Sequence, residues 1–249
     1  MPGLGTFKDH FSGQSEGYAR HRPHYPAELF RFLATLTSNH VRAWDCATGN
    51  GQAAIALSAY FESVVATDAS NAQITAAIAH PGVTYRVAAA EDSRLDAASI
   101  DLITVGQALH WFDHERFFTE ARRVLVNDGV LAAWCYEVCT VSDACDAPVD
   151  RLYSEILRDM WPPERHLVEA RYAGIAMPGQ PLESPEFQMR VTWTVADMLG
   201  YLRTWSGCAR YQQTYGEDPV ALIEVALRAA WGEGPREVRW PLTLLAARL

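Results

Sequence analysis

The residues whose types and spacing could do chemistry surround a small-residue turn, Gly49-Asn-Gly-Gln-Ala-Ala54, which follows a short apolar run. Asp45 lies just before this turn, and Asp68 follows Gly49 by nineteen residues, at the end of a second apolar run. A glycine-rich strand-to-helix turn lets a ligand approach the backbone, and an acid about 20 residues on can hydrogen-bond a ribose diol. The pairing predicts a site for a nucleoside-containing cofactor.

Asp45 bears on which cofactor this is. The turn fits G-x-G-x-x-A, a fingerprint of dinucleotide binding, so NAD is one interpretation. A carboxylate at Asp45 would repel a pyrophosphate, but it suits a ligand with an ammonium or sulfonium group, such as S-adenosylmethionine. Two structural alternatives stay open: Asp45 could be a solvated turn acid, and Asp68 could cap the helix that starts at Ser70-Asn71.

Apolar runs and helical stripes alternate through the first half of the chain, after a helix predicted over 27–36. Strands are predicted over 41–45, 63–67, 85–89, 100–105 and 130–135, with helices over 52–61, 71–79 and 115–126. Apolar strands separated by helices are typical of a parallel sheet covered on both faces. Beyond Tyr136 the pattern becomes mostly helical, with two more strand candidates at 187–194 and 236–248.

Composition limits the possible partners. Acidic residues outnumber basic ones by 30 to 21, a formal net charge of -9, and this argues against nucleic acid, which needs clustered Lys and Arg. No apolar run is long enough to span a bilayer, and the N-terminus has no secretory pattern, so we expect no membrane partner. The five cysteines lack CxxC spacing, which predicts free thiols in a reducing cytoplasm and no metal site.

The motifs resemble those of class I S-adenosylmethionine-dependent methyltransferases, most closely the trans-aconitate methyltransferase-like, or type 11, group. Asp45-Cys-Ala-Thr-Gly-Asn-Gly51 is similar to the first motif, with Ala47 in place of a usual glycine. Val65-Ala-Thr-Asp-Ala-Ser70 resembles the second, whose acid, here Asp68, holds both ribose hydroxyls.

Three further segments carry the same resemblance. Ala88-Ala-Ala-Glu-Asp92 stands where the family contacts adenine, and this role would rest on the backbone around Ala90 and Glu91. The segment 101–112 resembles the fourth-strand motif, and 121–131 resembles the helix, turn and fifth strand. A solvated loop pair is the alternative interpretation of Glu91 and Asp92.

The resemblance implies an α/β, Rossmann-like fold with a mostly parallel seven-stranded sheet, helices on both faces and a helical insert that covers the substrate. It divides the chain into a lid segment (1–40), a cofactor-binding core (41–136) and a substrate-covering region with the final strands (137–249). The implied activity is cytoplasmic methyl transfer from S-adenosylmethionine, leaving S-adenosylhomocysteine, to a small-molecule acceptor through a carboxylate or hydroxyl oxygen. An NAD-dependent oxidoreductase and a non-catalytic binding domain of the same fold are the alternatives.

The site residues form two sets. The cofactor set is Tyr18, Asp45, Ala47, Gly49, Gly51, Asp68, Ala69, Ala90, Glu91 and Gln107. The substrate set is Arg20, Arg22, His110, Trp111, Tyr201 and Arg203.

Several of these side chains have two interpretations. His110 is the candidate catalytic base because imidazole titrates in the useful range, but we favour a positioning role. Arg20 and Arg22 could bind a carboxylate through two-pronged guanidinium contacts, or they could pair with surface acids. Tyr201 and Trp205, one helical turn apart, could line the acceptor site, but we favour their packing together in the core.

Overall fold

The computed structural model describes residues 23–249 of the chain. The predictions for Tyr18, Arg20 and Arg22 lie outside the described residues, as does most of the proposed lid segment. Within the described part, no helix is both long and apolar enough to cross a membrane.

The strands form one twisted α/β sheet, as predicted. In chain order they are β1 (Arg42–Cys46), β2 (Ser63–Asp68), β3 (Val83–Val87), β4 (Ile100–Gly106), β5 (Leu125–Tyr136), β6 (Gln180–Leu182), β7 (Phe187–Trp193) and β8 (Arg236–Arg248). Their order across the sheet is β3-β2-β1-β4-β5-β8-β6, and β7 also pairs with β8. The first five strands are parallel to one another, whereas β8 runs antiparallel to β5, β6 and β7.

The strand count differs from the seven predicted, because two short strands share one edge of the sheet. β6 pairs with residues 246–248 of β8, and β7 pairs with residues 236–242. β5 occupies the opposite side of β8 over residues 242–248. Thus β6 and β7 lie end to end along the free side of β8, and eight strands fill seven positions.

The α-helices of the described residues cover both faces of this sheet. They are α1 (Ala27–Thr35), α2 (Gln52–Leu57), α3 (Asn71–Ala76), α4 (His114–Val124), α5 (Asp143–Arg151), α6 (Arg165–Glu169), α7 (Val195–Arg203), α8 (Ser206–Tyr215) and α9 (Ala221–Trp231). Between α5 and α6 the chain forms a π turn at Leu152–Ile156 and a 3-10 turn at Arg158–Met160.

Side chains of β5 alternate between two cores, since successive residues of a strand point to opposite faces. Val130, Ala132 and Trp134 pack in the core that also contains buried residues of α1, α2, α7 and α9. Leu131, Ala133 and Cys135 pack in the other core, against the apolar stripe of α4. Both faces of β5 are therefore buried over residues 130–136, which explains the continuous apolar sequence there.

Two buried carboxylates fix β1 against β4. At the amino end of the pair, Asp101 accepts hydrogen bonds from the backbone N–H groups of Val41 and Arg42, both at 2.9 Å. At the carboxyl end, Asp45 accepts a hydrogen bond from the Thr104 hydroxyl at 2.8 Å. These contacts set the register of the two strands whose ends form the site described below.

Asp101→Ala should destabilise the fold, because it leaves two N–H groups at a partly buried site without their acceptor. We expect the free energy of unfolding to fall by about 2–3 kcal/mol in urea denaturation. Asp96→Ala, at an exposed position nearby, is the matched control and should change it by less than about 0.5 kcal/mol. Equal effects of the two substitutions would contradict the role of Asp101 in holding β1 against β4.

Candidate active site at the carboxyl edge of the sheet

A cavity of about 560 Å³ opens at the carboxyl ends of β1, β2, β4 and β5. The strand order reverses between β1 and β4, and this switch point is where open parallel sheets bind ligands. The volume lies within the ~300–1,000 Å³ typical of small-molecule sites. The predicted residues that line it are Asp45, Ala47, Gly49, Asp68, Ala69, Ala90, Glu91, Gln107, His110, Trp111 and Tyr201.

The turn between β1 and α2 is built from left-handed backbone. Ala47, Gly49 and Gly51 have φ values of 55°, 57° and 91°. A Cβ atom on Gly51 would lie 2.1 Å from the hydroxyl of Tyr85, so only glycine fits there. Gly51 is not among the cavity-lining residues, and it is the N-cap residue of α2.

Asp45 is 1% exposed and is not the solvated turn acid of the alternative interpretation. Its carboxylate accepts hydrogen bonds from the hydroxyls of Thr48, at 2.5 Å, and Thr104, at 2.8 Å. Burial raises the pKa of Asp45 to about 6, against the opposing effect of these two hydrogen bonds. A positive charge in the cavity beside Asp45 would stabilise the ionised form.

Asp68 joins the turn after β1 to the loop after β2. Its carboxylate accepts hydrogen bonds from the backbone N–H groups of Gly49, at 3.0 Å, and Ser70, at 2.9 Å. The side chain that caps α3 is Ser70, whose hydroxyl accepts from the Gln73 N–H. The capping interpretation of Asp68 is therefore wrong, and its carboxylate lies at the cavity wall.

The loop after β3 is fixed at both ends. The N–H of Ala88 donates to the carbonyl of Asp68 at 3.0 Å, and the Glu91 carboxylate accepts from the N–H of Asp113, the N-cap of α4, at 3.0 Å. Ala90 is buried between these contacts. Glu91 thus holds the loop after β3 against the loop after β4. The backbone of residues 88–91 forms part of the cavity wall.

Gln107 extends the pairing of β4 with β5 beyond the end of β4. Its backbone is left-handed, with φ at 56°, and its side-chain amide donates to the carbonyl of Tyr136 and accepts from the N–H of the same residue. The side-chain amide of Gln107 therefore forms the two hydrogen bonds to Tyr136 that the backbone of a paired strand residue would form. Although Gln107 lines the cavity, its amide is used to hold Tyr136.

His110 is buried within the cavity wall. Its Nδ1 atom lies 3.0 Å from the hydroxyl of Tyr172, and its ring contacts Trp111 with centroids 4.6 Å apart. Burial, together with the nearby charge of Arg165, lowers the pKa of His110 to about 3. Because a general base works best with a pKa near the working pH, this geometry favours the positioning role.

The two predicted substrate residues of α7 have different surroundings. Tyr201 lines the cavity and also packs in the core, where its hydroxyl accepts a hydrogen bond from the Trp240 indole at 3.0 Å. Arg203 does not line the cavity, and its guanidinium pairs with Asp218 at 2.8 Å and Glu224 at 3.2 Å. Arg203 therefore ties α7 to α9, and we remove it from the substrate set.

Part of the wall consists of residues that the sequence did not indicate. Trp161, Pro162, Glu164 and Arg165 come from the segment before and at the start of α6. Trp205, for which the sequence left both core packing and the acceptor site open, precedes α8 and also lines the cavity. The Trp161-Pro-Pro sequence was visible only as a helix break. Among the described residues, no group of three or more His, Cys, Asp or Glu side chains is placed to hold a metal ion.

Known proteins with similar sequences and structures define the family. Residues 44–133 match the methyltransferase domain family Methyltransf_11. A Dictyostelium discoideum protein named "Putative methyltransferase" is 32% identical over 93% of this chain and 89% of its own length. The solved structure of a "Putative Type II Methyltransferase" from Anaeromyxobacter dehalogenans has 45% identity and a TM-score of 0.85, covering 91% of this chain and 97% of that one.

The fold, the cavity at the switch point and these similarities together define a methyltransferase. The chain belongs to the class I S-adenosylmethionine-dependent methyltransferases, in the type 11 group. It is therefore an enzyme of that class, and the alternatives of an NAD-dependent oxidoreductase and a non-catalytic binding domain are set aside.

Ala47→Gly should stabilise the protein, because Ala47 holds a left-handed conformation that costs an L-residue about 1–2 kcal/mol. Glycine is more flexible when unfolded and loses part of this gain, so we expect a net increase of about 0.5–1 kcal/mol in the free energy of unfolding. Urea denaturation measures it. Ala53→Gly, inside α2, is the control and should destabilise by about 1 kcal/mol; stabilisation by both would contradict the argument.

Proposed function

We propose that the cavity binds S-adenosylmethionine and aligns its methyl group with a small-molecule acceptor. The observation that carries this proposal is the pair of carboxylates on either side of the left-handed turn. Asp68, at the end of β2, lines the cavity and would accept hydrogen bonds from the ribose hydroxyls. Asp45, buried at the end of β1, would balance a positive charge on the ligand.

The remaining cofactor contacts follow from the order of the loops. The backbone at Ala69, Ala90 and Glu91 would contact the adenine, and the turn at Ala47 and Gly49 would let the ligand approach closely. The residues present fit the cofactor, because a carboxylate at Asp45 suits a cation and would oppose a pyrophosphate. We keep 41–136 as the cofactor-binding core and 137–249 as the substrate-covering region.

Bound S-adenosylmethionine supplies an electrophilic methyl group on its sulfonium, so the chain's task is alignment and exclusion of water. The aromatic wall of Trp111, Trp161, Tyr201 and Trp205 removes water from the acceptor half of the cavity. His110 supports this wall through Tyr172 and Trp111. With its pKa lowered to about 3, His110 is a neutral imidazole near pH 7 and a weak proton acceptor.

We infer that the acceptor atom is an oxygen, and a carboxylate suits the site better than a hydroxyl. A carboxylate is ionised at neutral pH and needs no base, which agrees with the low basicity of His110. A hydroxyl acceptor would need a base with a pKa nearer to 7. Formation of a labelled methylated product from radiolabelled S-adenosylmethionine would test turnover directly. A cytoplasmic location stays a prediction.

Asp68→Ala should weaken the binding of S-adenosylhomocysteine by about tenfold to a hundredfold, because hydrogen bonds to a charged acceptor are lost. Isothermal titration calorimetry measures the affinity. Asp92→Ala removes the same charge from an exposed position that does not line the cavity, so it should bind normally. An unchanged affinity in Asp68→Ala would refute the ribose assignment.

The affinity for S-adenosylmethionine should increase with pH through the titration of Asp45. Its pKa is raised from 3.8 to about 6 by burial, so the unliganded folded protein holds a proton on Asp45 below pH 6. A cationic ligand favours the ionised carboxylate, so binding releases this proton and is about tenfold weaker at pH 5 than at pH 7. Calorimetry in two buffers of different ionisation enthalpy measures the release.

Asp45→Asn should bind more weakly at pH 7 and should lose this pH dependence between pH 5 and pH 7. The same pH dependence in the variant would show that another group titrates. The stability of the unliganded protein should also depend on pH, because folding raises the pKa of Asp45 from 3.8 to about 6. The contribution of Asp45 to stability is full below pH 3.8 and is lost as the pH rises through about 6.

A further inference from the structure

Among residues 23–249, Arg165 is the arginine that lines the cavity. Elsewhere in the described chain, arginines such as Arg123, Arg171, Arg203 and Arg228 form ion pairs with carboxylates at 2.7–3.2 Å. Across residues 23–249, Arg165 has no carboxylate oxygen within ion-pair distance. Its positive charge nevertheless reaches His110, whose pKa it helps to lower.

The guanidinium of Arg165 is held in place by aromatic side chains. Its Nε donates a hydrogen bond to the hydroxyl of Tyr153 at 3.0 Å, and this hydroxyl in turn donates to Glu169. The guanidinium carbon lies 5.2 Å from the ring centre of Trp161 and 5.4 Å from that of Tyr153. One of its five N–H groups is used by Tyr153, and a planar guanidinium can present two others to one carboxylate.

The ring of Trp161, over which the guanidinium of Arg165 lies, is also held in place by its neighbours. Its indole N–H donates to the carbonyl of Tyr153 at 3.0 Å. A Cβ atom on Gly207 would lie 3.1 Å from its ring, so α8 packs closely against it. Trp205 contacts both Trp161 and Tyr201, with ring centroids 5.8 and 5.9 Å apart. These three rings form an apolar wall beside a fixed cation.

We propose that the acceptor is an organic anion whose apolar body packs on Trp161, Tyr201 and Trp205 and whose anionic group is bound by Arg165. The inference rests on the proposed function, since it treats this half of the cavity as the acceptor site. Arg165 is then the residue that selects a negatively charged acceptor over its neutral analogue.

Two acids also line this half of the cavity, and they define the competing hypothesis. Glu137 already pairs with Arg171 at 2.9 Å, so its charge is balanced. Glu164 precedes Arg165 in sequence and would attract a cationic acceptor such as an amine. The structure favours the anion, because stacking on Trp161 and the bond to Tyr153 fix the guanidinium edge before any ligand arrives.

The test compares two probes of the same shape, trans-cinnamate and trans-cinnamamide, with the protein saturated by S-adenosylhomocysteine. Calorimetry should show that cinnamate binds the wild type at least about tenfold more tightly than the amide. Arg165→Gln should abolish this preference while it leaves the affinity for S-adenosylhomocysteine unchanged. Arg158→Gln, the same change at an exposed arginine outside the wall, should keep the preference.

Three results would overturn the inference: cinnamate binding no more tightly than the amide, a preference that survives Arg165→Gln, or stronger binding of cinnamylamine that Glu164→Gln removes. The measurement also separates this inference from the function on which it rests. Failure of the wild type to bind S-adenosylhomocysteine would count against the proposed function, whereas normal cofactor binding without a carboxylate preference would count against Arg165 alone.

Discussion

The site depends on the buried carboxylate of Asp45. It accepts hydrogen bonds from Thr48 within its own turn and from Thr104 on the neighbouring strand, so one group fixes the turn, β1 and β4 relative to each other. Burial opposes its ionisation, and the two hydroxyls compensate only in part. When ionised, Asp45 therefore places an unfavourable buried negative charge at the carboxyl ends of β1 and β4. A cationic ligand in the cavity would stabilise that charge.

The half of the cavity that we propose for the cofactor could be grouped from the sequence because it is built locally. Asp45, Ala47 and Gly49 belong to one turn, and Asp68 ends the next strand, so a motif and a spacing are enough to group them. Even Ala47 follows this logic: a residue in a usual glycine position has the left-handed backbone that glycine would favour. The bond from Thr104 was missed because it depends on which strands are neighbours.

The half that we propose for the acceptor was much less predictable, since its residues meet only after the chain has folded. Trp161 and Arg165 lie in a segment where a π turn, a 3-10 turn and two prolines interrupt the helical period. The spacing of apolar residues in this segment therefore indicated a helix, but it did not indicate which side chains face the cavity. Arg203, in a more regular helix, was easier to notice, but its partners Asp218 and Glu224 come from residues 15 and 21 positions later.

The divided edge formed by β6 and β7 has a consequence for how the protein behaves in solution. An edge strand exposes unpaired N–H and C=O groups that can recruit another chain. Here the edge is interrupted over residues 183–186, and it carries Pro181 within β6 and Pro185 in the interruption. Proline lacks the N–H that an added strand requires. The break that complicates the strand count thus also protects the protein against edge-to-edge aggregation.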